Sequence, residues 1–274
     1  MNFEAKGYLP NTEKRIKHLQ NVVAERPVVI LVPGPSIHKL EHGIEKLRGL
    51  DICYFGLNSY TVVETHILEK INKQFSAVMC SSREGIPNVL EDIIDFLDRD
   101  MDNIFISSFW RNTFELMPKY FDLQYLLNKH NKKFIFFNLT FEKTVPNKDN
   151  PLHFIVSNSL LVLIQMAIIS KASSIVLFGA DGGFKKDGKE WYYQQGDSGH
   201  RGYVGGETKV GPMKTLANDT DTYFNPIAPI TINNLYTTYD ITRINILNCS
   251  KNSLYTPFTK VSYDDAFKHL LKEA

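Results

Sequence analysis

The chain has 274 residues, 43% hydrophobic and 22% charged, with 31 basic against 30 acidic side chains, so it can bury one substantial α/β core and has no charge excess that would recommend nucleic acid. Its three cysteines, Cys53, Cys80 and Cys249, are scattered and lack C-x-x-C spacing, which argues against a disulfide framework or a cysteine zinc site and fits buried thiols. No apolar run is long enough to span a bilayer and the first 26 residues are polar rather than leader-like, so a cytoplasmic protein is expected.

The predicted elements alternate. A lead-in helix over Thr12 to Glu25 precedes the β-branched run 28–32, which stops at Pro33-Gly34-Pro35-Ser36 and passes into a helix over Ile37 to Leu47. Further strand-like runs fall at 51–57, 76–80, 103–107, 133–137, 174–178 and 243–247. Helices are expected over Thr61 to Asn72, Pro87 to Asp98, Ser159 to Lys171 and Ile230 to Tyr239. The segment 160–169 is apolar all round apart from Gln165, as for a helix sandwiched inside a core. This pattern predicts an α/β, Rossmann-like fold: a mostly parallel open sheet of about seven strands with helices on both faces. A helical lead-in would occupy 1–26 and a single nucleotide-binding domain 27–274, with a lid inserted at about 182–229.

Open parallel sheets bind ligands beyond the carboxyl ends of their strands, so the residues that follow each strand are the candidates. Gly34, Pro35 and Ser36 read as a phosphate cradle, in which Gly34 admits close approach and the helix start offers free N–H groups; an ordinary strand-to-helix turn is the alternative. Asn58, after the second strand, suits a base or ribose edge, or caps the next helix. Ser81, Ser82 and Arg83 form a phosphate contact or a surface turn. Gly179 and Asp181 end the sixth strand, and Asp181 would hold a hydroxyl or a metal, or form an Asx-turn. Ser157, Asn158 and Ser159 open the apolar helix; capping explains one of them and anion recognition the rest.

From Gly182 to Pro229 periodicity disappears and aromatics interleave with polar residues, as in a lid. It carries Trp191-Tyr192-Tyr193 and Gly199-His200-Arg201-Gly202-Tyr203. His200, flanked by glycine in a polar loop, is the best general-base candidate of the eight histidines; an inert loop histidine is the alternative.

The order of Gly34-Pro35-Ser36, Asn58, a serine-led apolar helix, Gly179-Ala180-Asp181, Gly199-His200 and the run Arg243 to Ser253 resembles bacterial lipooligosaccharide sialyltransferases. It is also similar to the wider superfamily of flagellin-modifying motility accessory factors and the archaeal hydroxymethyl-dihydropterin pyrophosphokinase. The sialyltransferase resemblance implies an inverting transfer from a CMP-activated sugar with no obligatory metal, in lipopolysaccharide or other surface-glycan synthesis. By position, Gly34, Pro35 and Ser36 would lie along the cytidine and phosphate, Asn58 would contact the nucleotide, and Ser157 or Ser159 would meet the donor's phosphate or carboxylate. His200 would be the base, with Tyr192, Tyr193 and Tyr203 stabilising the departing phosphate. Pro33 stands where that family has a small residue. Expected partners are a nucleotide sugar, a glycan acceptor and further copies of the chain, with peripheral association at the inner membrane left open. The alternatives are an ATP- and Mg²⁺-dependent phosphotransferase drawing on Asp181, Asp187, Asp219 and Asp221, and a non-catalytic nucleotide or glycan binder.

Overall fold

The computed structural model describes residues 12–32, 34–57, 63–80, 90–99, 101–108, 123–141, 146–149, 151–155, 158–182 and 220–274. Helix α1 (Thr12–Val23) leads into β1 (Val28–Leu31), whose four residues are all buried. The remaining strands are β2 (Cys53–Leu57), β3 (Ala77–Cys80), β4 (Ile104–Ser108), β5 (Phe134–Thr140), β6 (His153–Ile155), β7 (Ser174–Phe178), β8 (Asn245–Asn248) and β9 (Thr259–Lys260). They form one sheet in the order β6-β5-β4-β3-β2-β1-β7-β8-β9, parallel at every pairing. All seven predicted strands are present, and the two additions, β6 and β9, are short edge strands that leave too little sequence to show a period.

The chain runs outward from β1 to β6 and then returns to place β7 on the other flank of β1. The strand order therefore reverses between β1 and β7, the place where open parallel sheets bind their ligands at the carboxyl ends. Val28 pairs with Cys53 on one side and with Ile175 on the other.

Alternate residues of the strands feed two cores. One gathers Val28, Ile30, Phe55 and Ile175 with α1, with α6 (Ser159–Ile169) and with α7 (Asn225–Tyr239). The other gathers Val29, Leu31, Tyr54 and Val176 with α2 (His38–Glu41), α3 (Val63–Glu69), α4 (Leu90–Asp98) and α8 (Tyr263–Glu273). Helix α5 (Leu123–Lys129), which the sequence pattern did not predict, precedes β5.

Helix α6 is buried along its whole apolar length and packs between α7 and the strands β2 and β3. Its interior glutamine is bonded at one end only: Gln165 Nε2 donates to the Leu161 carbonyl at 3.2 Å, whereas its buried Oε1 has no hydrogen-bond partner among the described residues. The predicted helix 37–47 is broken into a 3-10 turn (Pro35–Ile37), the four-residue α2 and a second 3-10 turn (Ile44–Leu47), with Gly43 between the last two. Residues 220–229, expected to close the long loop, are helical instead: a π turn over Thr220–Phe224 enters α7, which tolerates Pro226 in its first turn and takes Pro229 inside. Among the described residues no helix is long and apolar enough to cross a membrane.

Candidate functional site at the strand-order reversal

The ends of β1 and β7 are stitched together. Val32 N–H donates to the Phe178 carbonyl at 2.9 Å, and Gly34 N–H donates to the Gly179 carbonyl at 3.1 Å. Gly34 has φ −82° and ψ 158°, which any residue adopts, so its backbone conformation does not require glycine. Space does: a Cβ there would fall 2.1 Å from the Gly179 carbonyl oxygen and 2.6 Å from Asp181 Oδ2. Gly179 is required on both counts, with φ +75° and a Cβ that would lie 1.9 Å from the Val32 carbonyl oxygen. The close approach read from the sequence as room for a ligand is thus made by the chain itself.

Asp181 lies at the centre of this corner and is only 3% exposed. Ser36 N–H donates to its Oδ2 at 2.8 Å, and the Ser250 hydroxyl donates to its Oδ1. The carboxylate therefore joins the turn after β1, the end of β7 and the turn after β8. Around it, Asn248 Nδ2 and the Ser253 hydroxyl both donate to the Ala180 carbonyl, at 3.1 and 2.7 Å, and Ser250 N–H donates to Asn248 Oδ1 at 3.0 Å. The Tyr263 hydroxyl, from α8, donates to the Ser36 carbonyl at 2.7 Å. Burial raises the Tyr263 phenol far above its ordinary range.

A second, half-buried group stands beside it. Asn158 is the N-cap of α6: its Oδ1 accepts the Leu161 N–H at 3.0 Å, and its Nδ2 donates to the Tyr255 hydroxyl at 3.2 Å. Both ends of the amide are thereby committed within the protein. The Tyr255 ring lies against Phe224 at a tilt of 51°, with centroids 4.3 Å apart, and its phenol is raised strongly, chiefly by burial. The Thr220 hydroxyl donates to the Gly182 carbonyl at 2.5 Å, joining the end of the β7 turn to the start of the π turn that enters α7.

The structure brings Gly34, Pro35, Ser36, Gly179 and Asp181 into one corner, with Asn158 and Ser159 at the head of α6. Pro33, Asn58, Ser81, Ser82, Arg83, Ser157, Tyr192, Tyr193, His200 and Tyr203 lie outside the described residues. Asn248, Ser250, Ser253 and Tyr255 were not singled out as site residues from sequence. Their signal was a small polar run closing a strand, the same signal that marked the ends of β1 and β7.

Of the acidic residues considered as metal ligands, Asp181 has both oxygens engaged by donors. Asp221 sits exposed and accepts from Asn225 Nδ2 at 3.1 Å. Among the described residues no group of three or more metal-ligating side chains converges. Cys53 and Cys249 are free and buried, with thiols pushed up by burial. One cleft lies away from this corner, lined by Leu68, Lys73, Phe75 and Arg99; another lies between α7 and β8.

No family model matches the chain, and no curated protein does. Among solved structures, it is similar to the sialyltransferase CstII from Campylobacter jejuni, determined in complex with the substrate analogue cytidine-5'-monophosphate. That similarity has a TM-score of 0.47 at 14% identity, over 86% of this chain and 85% of that one. It is also similar to the monofunctional alpha-2,3-sialyltransferase Cst-I from the same organism, with a TM-score of 0.47 at 15% identity, over 86% of this chain and 81% of that one.

Proposed function

We propose that the chain is a glycosyltransferase-like enzyme that takes a nucleotide-activated sugar, of the CMP-sugar kind, at the carboxyl ends of β1 and β7 and passes the sugar to a glycan acceptor. The observation that carries this reading is the buried polar corner at the strand-order reversal, where three strand ends converge on Asp181. A rigid floor of this kind holds the flanking loops at a fixed distance from a bound ligand.

In the proposed reaction the acceptor hydroxyl attacks the anomeric carbon as its bond to the phosphate oxygen breaks, with inversion. His200 takes the hydroxyl proton, an effect worth ~10²–10⁴ in rate. Tyr192, Tyr193 and Tyr203 donate to the departing phosphate oxygens. Asn58, Ser81, Ser82, Ser157 and Ser159 supply the polar contacts to nucleotide and donor, with Gly34, Pro35, Ser36 and Gly179 as the floor. No step in this scheme calls for a metal.

A thermal-shift screen of CMP, CDP, UDP, GDP and ATP, each with and without Mg²⁺, tests the reading, because a ligand that binds the native state raises the midpoint by mass action. CMP is expected to stabilise without metal. A response confined to ATP with Mg²⁺ would favour phosphoryl transfer, and no response to any nucleotide would remove both enzymes. His200→Ala is expected to fold and bind CMP but to lose transfer.

A further inference from the structure

Strand β9 covers only part of β8. It is two residues long and pairs Thr259 with Leu247 and Lys260 with Asn248, so among the described residues no strand pairs with Asn245 and Ile246 on that edge. Successive residues of a parallel strand direct their backbone groups to opposite edges. Cys249 N–H donates to the Leu177 carbonyl of β7, and the Asn248 carbonyl accepts Val261 N–H on the β9 side, both at 3.0 Å. Ile244 and Ile246 alternate in step with Asn248, so their backbone groups face the β9 side as well. There the Ile246 N–H makes no hydrogen bond among the described residues, and the Ile244 carbonyl accepts only the Tyr236 hydroxyl, at 3.4 Å.

Beside this stretch lies the cleft between α7 and β8, of about 270 Å³. Pro229 and Asn233 of α7 form one wall, Pro257 stands on the other, and Ile244 to Ile246 are the floor. Pro257 explains why β9 starts late. One register step upstream it would face Asn245, and it has no N–H with which to reach the Ile244 carbonyl. No residue lining the cleft is charged, in a chain that is 22% charged, and α7 carries no charge over its 15 residues. A phosphate would find no cation in this lining, so the cleft does not suit a second nucleotide.

We propose that this edge of β8 is a docking site for an extended, uncharged segment of another protein, which adds to the sheet as a strand in line with β9. Its backbone carbonyl accepts the Ile246 N–H and its N–H donates to the Ile244 carbonyl. Small or apolar side chains of the segment lie on the α7 side, where Ile244 and Ile246 pack against the core, and the alternate ones point to water. The occupant is a strand because what the cleft offers is backbone groups at strand spacing. It is uncharged because a charged side chain would lose water in the cleft without gaining a partner. The proposal is independent of the β1/β7 site and of any activity there.

Amide exchange at Ile246, followed by NMR on the full-length protein, tests it with the strand-forming peptide acetyl-(Thr-Val)3-amide as probe. In the free protein the Ile246 amide should exchange faster than that of Leu247, which faces β7. At ten times its dissociation constant the peptide is expected to slow Ile246 exchange roughly tenfold, because only the unoccupied fraction still exchanges. A fully N-methylated copy, which has no backbone donor, should not slow it. Asn233→Lys, at an exposed position, should fold normally and bind the peptide roughly tenfold more weakly, since it brings a charge into the lining. Unchanged Ile246 exchange at every peptide concentration would overturn the proposal, as would equal slowing by the N-methylated copy or an unchanged affinity of Asn233→Lys. Slowing by a neutral oligosaccharide such as maltohexaose but not by peptide would reassign the cleft to a glycan, and slowing on raising the protein concentration alone would reassign it to a second copy; either result also overturns it.

Discussion

Gly34→Ala separates two explanations of the same glycine. If Gly34 were small to admit a ligand, the alanine variant would fold normally and lose only binding. In the structure the added methyl instead meets the Gly179 carbonyl oxygen at 2.1 Å, well inside contact distance and against backbone that cannot rotate away. It also meets Asp181 Oδ2 at 2.6 Å. Relieving that overlap means separating the ends of β1 and β7, at about 1–3 kcal/mol for overpacking. It also weakens the 3.1 Å Gly34–Gly179 hydrogen bond and the 2.8 Å Ser36–Asp181 one, worth about 1 kcal/mol for the neutral bond and about 1.5–3 for the one to a carboxylate. The expected loss is up to about 3.5–7 kcal/mol, a large part of the 5–15 or so that a domain of this kind has in hand. Urea unfolding of the ligand-free protein measures it, and the thermal midpoint should fall by roughly 2–4 °C for each kcal/mol lost. A ligand-free variant within about 0.5 kcal/mol of wild type, in the range of neutral surface changes, would refute the steric argument.

Gly179→Ala should be worse than Gly34→Ala, because it adds a positive-φ penalty to a 1.9 Å overlap, and the comparison is read from the same urea curves. Tyr255→Phe should cost about 1–3 kcal/mol by leaving Asn158 Nδ2 unpaired. It should also reduce the loss of stability in alkali: the native phenol is raised above its ordinary value near 10, so its contribution is intact below that pH and is lost as pH rises beyond it. A Tyr255→Phe stability curve parallel to wild type between neutral and strongly alkaline pH would contradict this. His18 is pushed below its ordinary 6.5 chiefly by burial, against the pull of Asp102 and with help from Lys132. The unfolded chain then takes the proton first, so stability should decline as pH falls below 6.5 and level off beneath the native value, and His18→Gln should flatten that decline.

The strands were legible because a parallel sheet buried on both faces writes each strand as a continuous β-branched run, as in Val28-Val29-Ile30-Leu31 and Ser174-Ile175-Val176-Leu177. β6 and β9 were not, being three and two residues long at the sheet's edges. The segment after β1 has apolar residues at Ile37, Leu40, Ile44 and Leu47, a helical spacing that the chain satisfies with three short turns instead of one helix. At the site, small polar residues at strand ends marked the corner where β1, β7 and β8 meet. What they bond to could not be read, because Ser36, Asp181 and Ser250 are joined across 145 and 69 positions of sequence. Asn158 shows the same gap: its capping role is local and was visible, whereas its bond to Tyr255 spans 97 positions.

The reversal of strand order also sets a timetable for synthesis. β1 gains β2 as soon as residue 57 has emerged, but its other edge waits for β7, since Val28 to Leu31 pair with Ile175 to Phe178. For the intervening chain length β1 is an open, wholly apolar edge, and the helix that will cover the neighbouring strands β2 and β3, α6, is itself apolar all round apart from Gln165. Such an edge invites pairing with another chain. Whatever conditions slow translation between β1 and β7 should therefore lower the yield of this protein more than its final stability would suggest.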